Sequence, residues 1–264
     1  MRHPALGRRH EALRHLFRKV HKSSQWRADI QPTLLPQLKP HAATFSPQAT
    51  ESPTMPQPET NPVLTTALAA LAQGCATCRR CPLAAGRQQV VVSRGNPGAA
   101  LMVIGEGPGA QEDAQGQPFV GRAGQLLDQM LASVGIDSNQ DAYICNVVKC
   151  RPPDNRKPSP EEMAACRPWL HEQIALVNPP LILLAGATAM EGVLGVKGGI
   201  TRLRGQWQQG SGEALEGRWL LPIFHPSYLL RHASREQGSP KWLTWQDLKA
   251  LKGKLESLRH SLNA

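Results

Sequence analysis

Four short apolar runs, separated by segments of helical periodicity, confine this chain to a narrow set of folds. Leu101-Met102-Val103-Ile104, Tyr143-Ile144-Cys145-Asn146-Val147-Val148, Leu181-Ile182-Leu183-Leu184 and Trp219-Leu220-Leu221-Pro222-Ile223-Phe224 are nearly continuous in apolar residues. That is the pattern of strands covered on both faces, not of strands with one face in water. Between them, Leu126, Leu127, Met130 and Leu131 recur at helical spacing over residues 124–134. Ser159-Pro160-Glu161-Glu162 is a capping box with proline at the first helical position and predicts a helix to about Val177. Trp242, Trp245, Leu248, Leu251, Leu255 and Leu258 form one apolar stripe on a last helix. The alternation predicts an α/β fold, a three-layer α/β/α sandwich around a central, mostly parallel four-stranded sheet. Ligands of such sheets bind beyond the carboxyl ends of the strands. The run Gly105-Glu106-Gly107-Pro108-Gly109, Asn146 and His225 all fall there.

The 264 residues suffice for one α/β domain with tails. Eight prolines between Gln31 and Pro62 deny that stretch regular hydrogen bonding, so it reads as an extended linker, with folded structure starting near Leu64. The expected division is residues 1–62 as a basic head and Pro-rich linker and 63–264 as the folded domain. The net charge of +10 invites a polyanionic partner. Residues 1–30, however, hold eight Lys or Arg against Glu11 and Asp29. Six of the ten excess charges therefore sit in the head. That head resembles an organellar transit peptide, and equally a DNA-tethering arm or the result of an upstream start, with Met55 as an internal alternative. No run of about 18 apolar residues exists to cross a bilayer, and no apolar signal-peptide core opens the chain. A cytoplasmic, bacterial-type setting and a monomer are expected.

Six cysteines in a reducing compartment point to metal or cluster ligation before disulfides. Cys78 and Cys81 are two residues apart, and Cys150 and Cys166 form a second pair. Four such thiolates suit zinc or a 4Fe-4S cluster equally. Cys75, three residues before Cys78, leaves open a Cys75–Cys78 pair, and buried core thiols remain the plain reading. Cys145, inside a strand, suits packing.

Taken together, Cys-x-x-Cys-Pro-Leu at 78–83, Gly105-Glu106-Gly107-Pro108-Gly109 with Glu112-Asp113, Pro118-Phe119-Val120-Gly121-Arg122-Ala123-Gly124, Asn146-Val147-Val148-Lys149-Cys150-Arg151-Pro152-Pro153 and His225-Pro226-Ser227-Tyr228-Leu229-Leu230-Arg231 resemble the family-four, iron-sulfur uracil-DNA glycosylases. The resemblance covers residues 75 to about 255. It implies a 4Fe-4S cluster on Cys78, Cys81, Cys150 and Cys166, with Cys75 left over. It also implies monofunctional hydrolysis of the uracil N-glycosidic bond in single- or double-stranded DNA, the first step of base-excision repair.

That chemistry assigns tasks to residue types. An extruded base needs a stacking plane, for which Phe119 is the candidate. Asparagine offers a donor and an acceptor side by side, so Asn146 suits the O4 and N3 edge of uracil and mismatches cytosine. His225 is the candidate donor to O2 as the base leaves as an anion. Glu112 is favoured over Glu106 for handling water, Glu106 being the alternative that instead fixes the loop. Gly107 lets backbone approach the base. Leu229 and Leu230 read as an apolar wedge beside the flipped base and Arg231 as a phosphate contact. Lys149, Arg151, Arg156 and Lys157 are further phosphate candidates. The competing reading is an iron-sulfur DNA-binding relative with shifted base choice or no catalysis. A nucleotide-binding oxidoreductase is disfavoured because Pro108 breaks the G-x-G-x-x-G pattern.

Overall fold

A computed structural model describes residues 61–212 and 214–262. The head and almost all of the linker expected over 1–62 lie outside the described residues. The first helix, α1 (Pro62–Ala76), starts slightly ahead of the expected Leu64 because Asn61 caps it through Val63 N at 3.0 Å, with Pro62 at the first helical position. A proline that reads as linker is here a helix start, since its missing N–H would have had no partner in the first turn.

The expected four strands form as β2 (Leu101–Gly105), β3 (Ala142–Asn146), β4 (Leu181–Ala185) and β6 (Trp219–Ile223), joined by parallel ladders in the order β3-β2-β4-β6. Two-residue strands β1 (Arg94–Gly95) and β5 (Gln208–Gln209) pair antiparallel on the two edges and bring the sheet to six strands. Such pieces are too short to carry an apolar pattern. They cover the outer strands' edge groups.

Alternation within each strand divides the core into two layers. Met102, Ile104, Tyr143, Cys145, Ile182, Leu184 and Leu220 face one side, against α4 (Pro160–Val177) residues such as Met163, Leu170 and Ile174. Leu101, Val103, Ala142, Ile144, Leu181, Leu183, Leu221 and Ile223 face the other. There they meet Leu127 and Leu131 of α3 (Arg122–Ala132) and Leu248, Leu251 and Leu255 of α8 (Pro240–Leu262). The capping box is present: Ser159 Oγ accepts from Glu162 N at 3.2 Å, and Glu162 Oε2 accepts from Ser159 N at 2.7 Å. Among the described residues no helix is long and apolar enough to cross a membrane.

The chain leaves β2 for β3 on one side, whereas β4 leads to β6 on the other. Connections that diverge from neighbouring strands open a crevice at their carboxyl ends. The candidate site occupies that crevice.

Candidate functional site

A pocket of about 230 Å³ is lined by Glu106, Gly107, Glu112, Phe119, Asn146 and His225, with Ala123, Pro152, Asn155, Arg156 and Ser227 at its borders. Six of the residues marked out by the sequence thus meet in one place. They come from the loop after β2, the end of β3 and the residue following β6 by two.

Asn146 closes β3 directly opposite Gly105, the last residue of β2. It is buried, yet among the described residues its side-chain amide makes no hydrogen bond, so its donor and acceptor remain available to a ligand. A Cβ on Gly105 would meet Phe119 Cζ at 2.4 Å and Asn146 Oδ1 at 2.5 Å. The missing side chain is what lets the phenyl ring and the amide share the pocket floor. Phe119 is itself buried with φ of 55°, a left-handed backbone that non-glycine residues hold only under constraint. The constraint comes from both directions. Arg94 donates from Nε to Pro118 O at 2.9 Å and from Nη2 to Asp128 of α3 at 2.6 Å, while a Cβ at Gly124 would lie 1.8 Å from Phe119 O.

His225 stands 6.1 Å from Phe119, ring centre to ring centre, with the planes tilted by 32°. It caps the helix α7 (Pro226–Leu230): Nδ1 accepts from Ser227 N at 3.1 Å and lies 2.7 Å from Ser227 Oγ. An Nδ1 that accepts a backbone N–H carries no proton, so the neutral ring holds its hydrogen on Nε2. Burial, reinforced by the positive charge of Arg231 and only partly opposed by Glu112, pulls the His225 pKa down from 6.5 to about 4. The imidazole is therefore neutral at pH 7 and presents an N–H donor.

The two carboxylates differ in how their oxygens are occupied. Glu112 Oε2 accepts from Gly109 N at 3.1 Å and Oε1 from Gly121 N at 2.8 Å. Both oxygens are thus spent on tying the loop after β2 to the start of α3. Glu106 has one oxygen on Thr188 Oγ1 at 2.5 Å, across the crevice on the helix after β4, and among the described residues its other oxygen has no partner. The loop-fixing role belongs to Glu112. Only the adjacency of β2 and β4 brings Thr188 here, so nothing in its local sequence signals it.

Leu229 is a correction. It is 0% exposed, because α7 turns it into the protein against α3, whereas Leu230 is 38% exposed and Arg231 is exposed. Of the two leucines only Leu230 reaches the surface. Lys149 also departs from its expected phosphate role: it is 0% exposed, and Nζ donates to Asn146 O at 2.7 Å. Among the other cations, Arg156 grips Glu162 through two hydrogen bonds of 2.8 and 2.7 Å, Lys157 pairs with Glu191 and Arg151 holds Asn155.

Cys75, Cys78, Cys81, Cys150 and Cys166 line a second, small cavity behind the pocket, together with Arg87, Lys149 and Trp169. Three of the sulfurs accept N–H donors: Cys78 from Trp169 Nε1 at 3.4 Å, Cys150 from Arg87 Nη1 at 3.4 Å and Cys166 from Lys149 N at 3.3 Å. Arg87 further binds Cys78 O and Ala76 O at 2.7 and 2.8 Å, fastening the Cys78–Cys81 turn to the domain. Burial pushes the thiols up, Cys75 to about 12 and Cys166 to about 11. Deprotonating them requires compensating positive charge. Among the described residues no three His, Cys, Asp or Glu side chains are disposed around a single metal ion.

Known proteins resemble this chain over its described domain. The Uracil DNA glycosylase superfamily matches residues 92–249. A type-4 uracil-DNA glycosylase of Thermotoga maritima is 50% identical over 163 residues, 60% of this chain and 81% of the relative. The type-4 enzyme of Sulfurisphaera tokodaii is 38% identical over 162 residues, 58% and 71% of the two chains. A type-5 uracil-DNA glycosylase of Thermus thermophilus is 30% identical over 190 residues, 60% and 86% of the two chains.

The contacts around Gly105 make a stability prediction. Gly105→Ala must displace Phe119 or Asn146 and is expected to cost about 1–3 kcal/mol, the range for overpacking a tight site. Urea unfolding measures it, and a loss within error of zero contradicts the packing described.

Proposed function

The chain belongs to the uracil-DNA glycosylase superfamily as a type-4 member, and from that premise we propose that it excises uracil from DNA by hydrolysis in the pocket between Gly105 and His225. The observation that carries the reading is the disposition of Asn146, Phe119 and His225: an unpaired amide, an aromatic face and a fixed Nε2–H around one cavity of about 230 Å³.

In this reading the nucleotide is extruded at a cost of a few kcal/mol. Stacking on Phe119 returns about 1–3 kcal/mol of it. The Asn146 amide donates to O4 and accepts from N3–H, a pairing that cytosine inverts. The C1′–N1 bond breaks with its electron pair moving onto uracil, where charge builds at O2 and His225 Nε2–H donates to it. A neutral donor avoids protonating the base, and its electrostatic effect is available before the bond breaks. Water adds to C1′ of the cationic sugar and yields its proton to the Glu106 carboxylate, leaving an abasic site; that proton then passes through solvent to the uracil anion, which departs as neutral uracil and restores the carboxylate. Glu106 is preferred over Glu112 because Glu112 has both oxygens bound to backbone amides. Gly107 brings backbone to the base. Leu230 and Arg231 meet DNA beside the gap, with Leu229 supporting them from within. The division of residues 1–62 as head and 63–264 as catalytic domain is retained as part of the proposal, and six unpaired thiols favour a reducing, cytoplasmic setting.

The cysteine-lined cavity fits a 4Fe-4S cluster held by Cys78, Cys81, Cys150 and Cys166. Three of those four sulfurs receive N–H donors, as thiolate ligands do, and Cys75 receives none among the described residues. When bound, the cluster ties Cys78–Cys81 to the loop and helix carrying Cys150 and Cys166. The expected result is that Cys166→Ala abolishes the visible absorption and the iron content of purified protein, while Cys75→Ala keeps both. Stoichiometric zinc in place of iron contradicts the cluster.

The function is tested by treating uracil-containing oligonucleotides with protein and then alkali: strand scission appears only after alkali. Asn146→Asp, which replaces the donor with a second acceptor, is expected to narrow the preference for uracil over cytosine by about tenfold or more. Unchanged discrimination removes Asn146 from base reading.

Acid sensitivity follows from His225. Folding lowers its pKa from 6.5 to about 4, so the unfolded chain takes up the proton first. The stability held in the neutral ring is whole above pH 6.5 and lost as pH falls toward 4. On the His225 limb, kcat/KM is expected to stay flat down to about pH 5 and fall with a midpoint near 4. A His225-dependent midpoint at 6.5 contradicts the burial argument.

A further inference from the structure

The apolar stripe of α8 does not bury evenly. Leu248, Leu251 and Leu255 are fully enclosed, but Trp245 is 42% exposed and Trp242 half-buried. These two rings wall a groove of about 400 Å³ between α8 and α3, floored by Leu126 and Met130, with Arg235 and Lys241 on its lining. None of the lining residues is acidic. Lys249 adds a third cation, its Nζ lying 3.9 Å over the centre of the Trp245 ring. Lys241, Trp245 and Lys249 recur at intervals of four, on one face of the helix.

The groove continues the surface already assigned to DNA. Leu230 and Arg231 end α7, and the chain runs from them through Arg235 to Lys241. On the other wall, Ala123 borders the uracil-facing pocket and Met130 the groove. Seven residues of the same helix separate them, a rise of about 10 Å, equal to about three steps of a DNA strand.

Aromatic faces interleaved with cations are the signature of unpaired nucleic acid, because each base can stack while phosphates meet the charges. Bases inside a duplex are stacked on one another and offer no free face. Other occupants meet like charge. Residues 1–30 carry an excess of six positive charges, and a second copy docked groove to groove opposes Arg235, Lys241 and Lys249 to themselves.

We propose that the Trp242–Trp245 groove binds single-stranded DNA flanking the target nucleotide, stacking an unpaired base on Trp245 and holding its phosphates at Arg235 and Lys241, so that the protein engages single strands in preference to duplex. The position relative to uracil rests on the glycosylase reading; the groove's affinity for single strands does not.

The test measures binding of fluorescein-labelled, uracil-free oligothymidylate of about 16 nucleotides and of a hairpin duplex to the full chain. Trp245→Ala is expected to lower the ratio of single-strand to duplex affinity about tenfold, with Trp245→Phe restoring most of it because a stacking face remains. Arg235→Gln and Lys241→Gln should each make the single-strand salt slope shallower by about 0.7. These side chains sit at the surface, so loss of fold does not confound them. Equal losses on both probes, or no loss, overturn the proposal. So does self-association abolished by Trp245→Ala while oligonucleotide binding is unaltered, which assigns the groove to a second copy. If uracil DNA survives incubation with the unsubstituted protein but binding still depends on Trp245, the groove stands and only the glycosylase reading falls.

Discussion

Gly105 and Asn146 are paired in register at the ends of adjacent parallel strands, and the space above Gly105 is taken by the Phe119 ring and the Asn146 amide. That single close approach organises the pocket. A parallel ladder fixes where both strands stop. The stop sets the amide beside the ring, and the left-handed backbone of Phe119 is then held by Arg94 on one side and Gly124 on the other. Glu112 completes the frame by spanning Gly109 and Gly121. The pocket is thus built from groups with little freedom to move.

Behind this frame, Lys149 joins the pocket to the cysteine-lined cavity. Its ammonium is fully buried on Asn146 O, its backbone N–H reaches Cys166 Sγ, and it lines the cavity. An interior ammonium costs several kcal/mol unless negative charge or strong acceptors compensate it. The Asn146 carbonyl is such an acceptor, and the Lys149 charge in turn opposes the rise that burial imposes on the Cys75 and Cys166 thiols. Contacts made by this one residue therefore link the end of β3 to the cysteine-lined cavity.

The sequence made the four buried strands, the α4 capping box and the convergence of the Gly105–Gly109 run, Asn146 and His225 at strand ends legible, because apolar continuity, capping chemistry and the strand-end rule are local or topological. It misplaced what depends on neighbours from elsewhere in the chain. Leu229 and Leu230 are equivalent as letters; only the turn of α7 against α3 buries the first and exposes the second. Trp242 and Trp245 continue an apolar stripe that reads as core throughout, yet α8 overhangs α3 at that end and leaves a groove.

Residue types and order determined that this chain carries a parallel α/β sheet, a group of closely spaced cysteines and an amide, a ring and an imidazole suited to a pocket. The folded structure decided which state each group holds. Ser227 N, two residues on, fixes the proton of His225 on Nε2, Thr188 reaches Glu106 from the helix after β4, and the Gly109 and Gly121 amides occupy Glu112. Protonation, tautomer and free valence are set by which donors and acceptors lie within about 3 Å; local turns bring Ser227 and Gly109 there, whereas only the pairing of β2 with β4 brings Thr188.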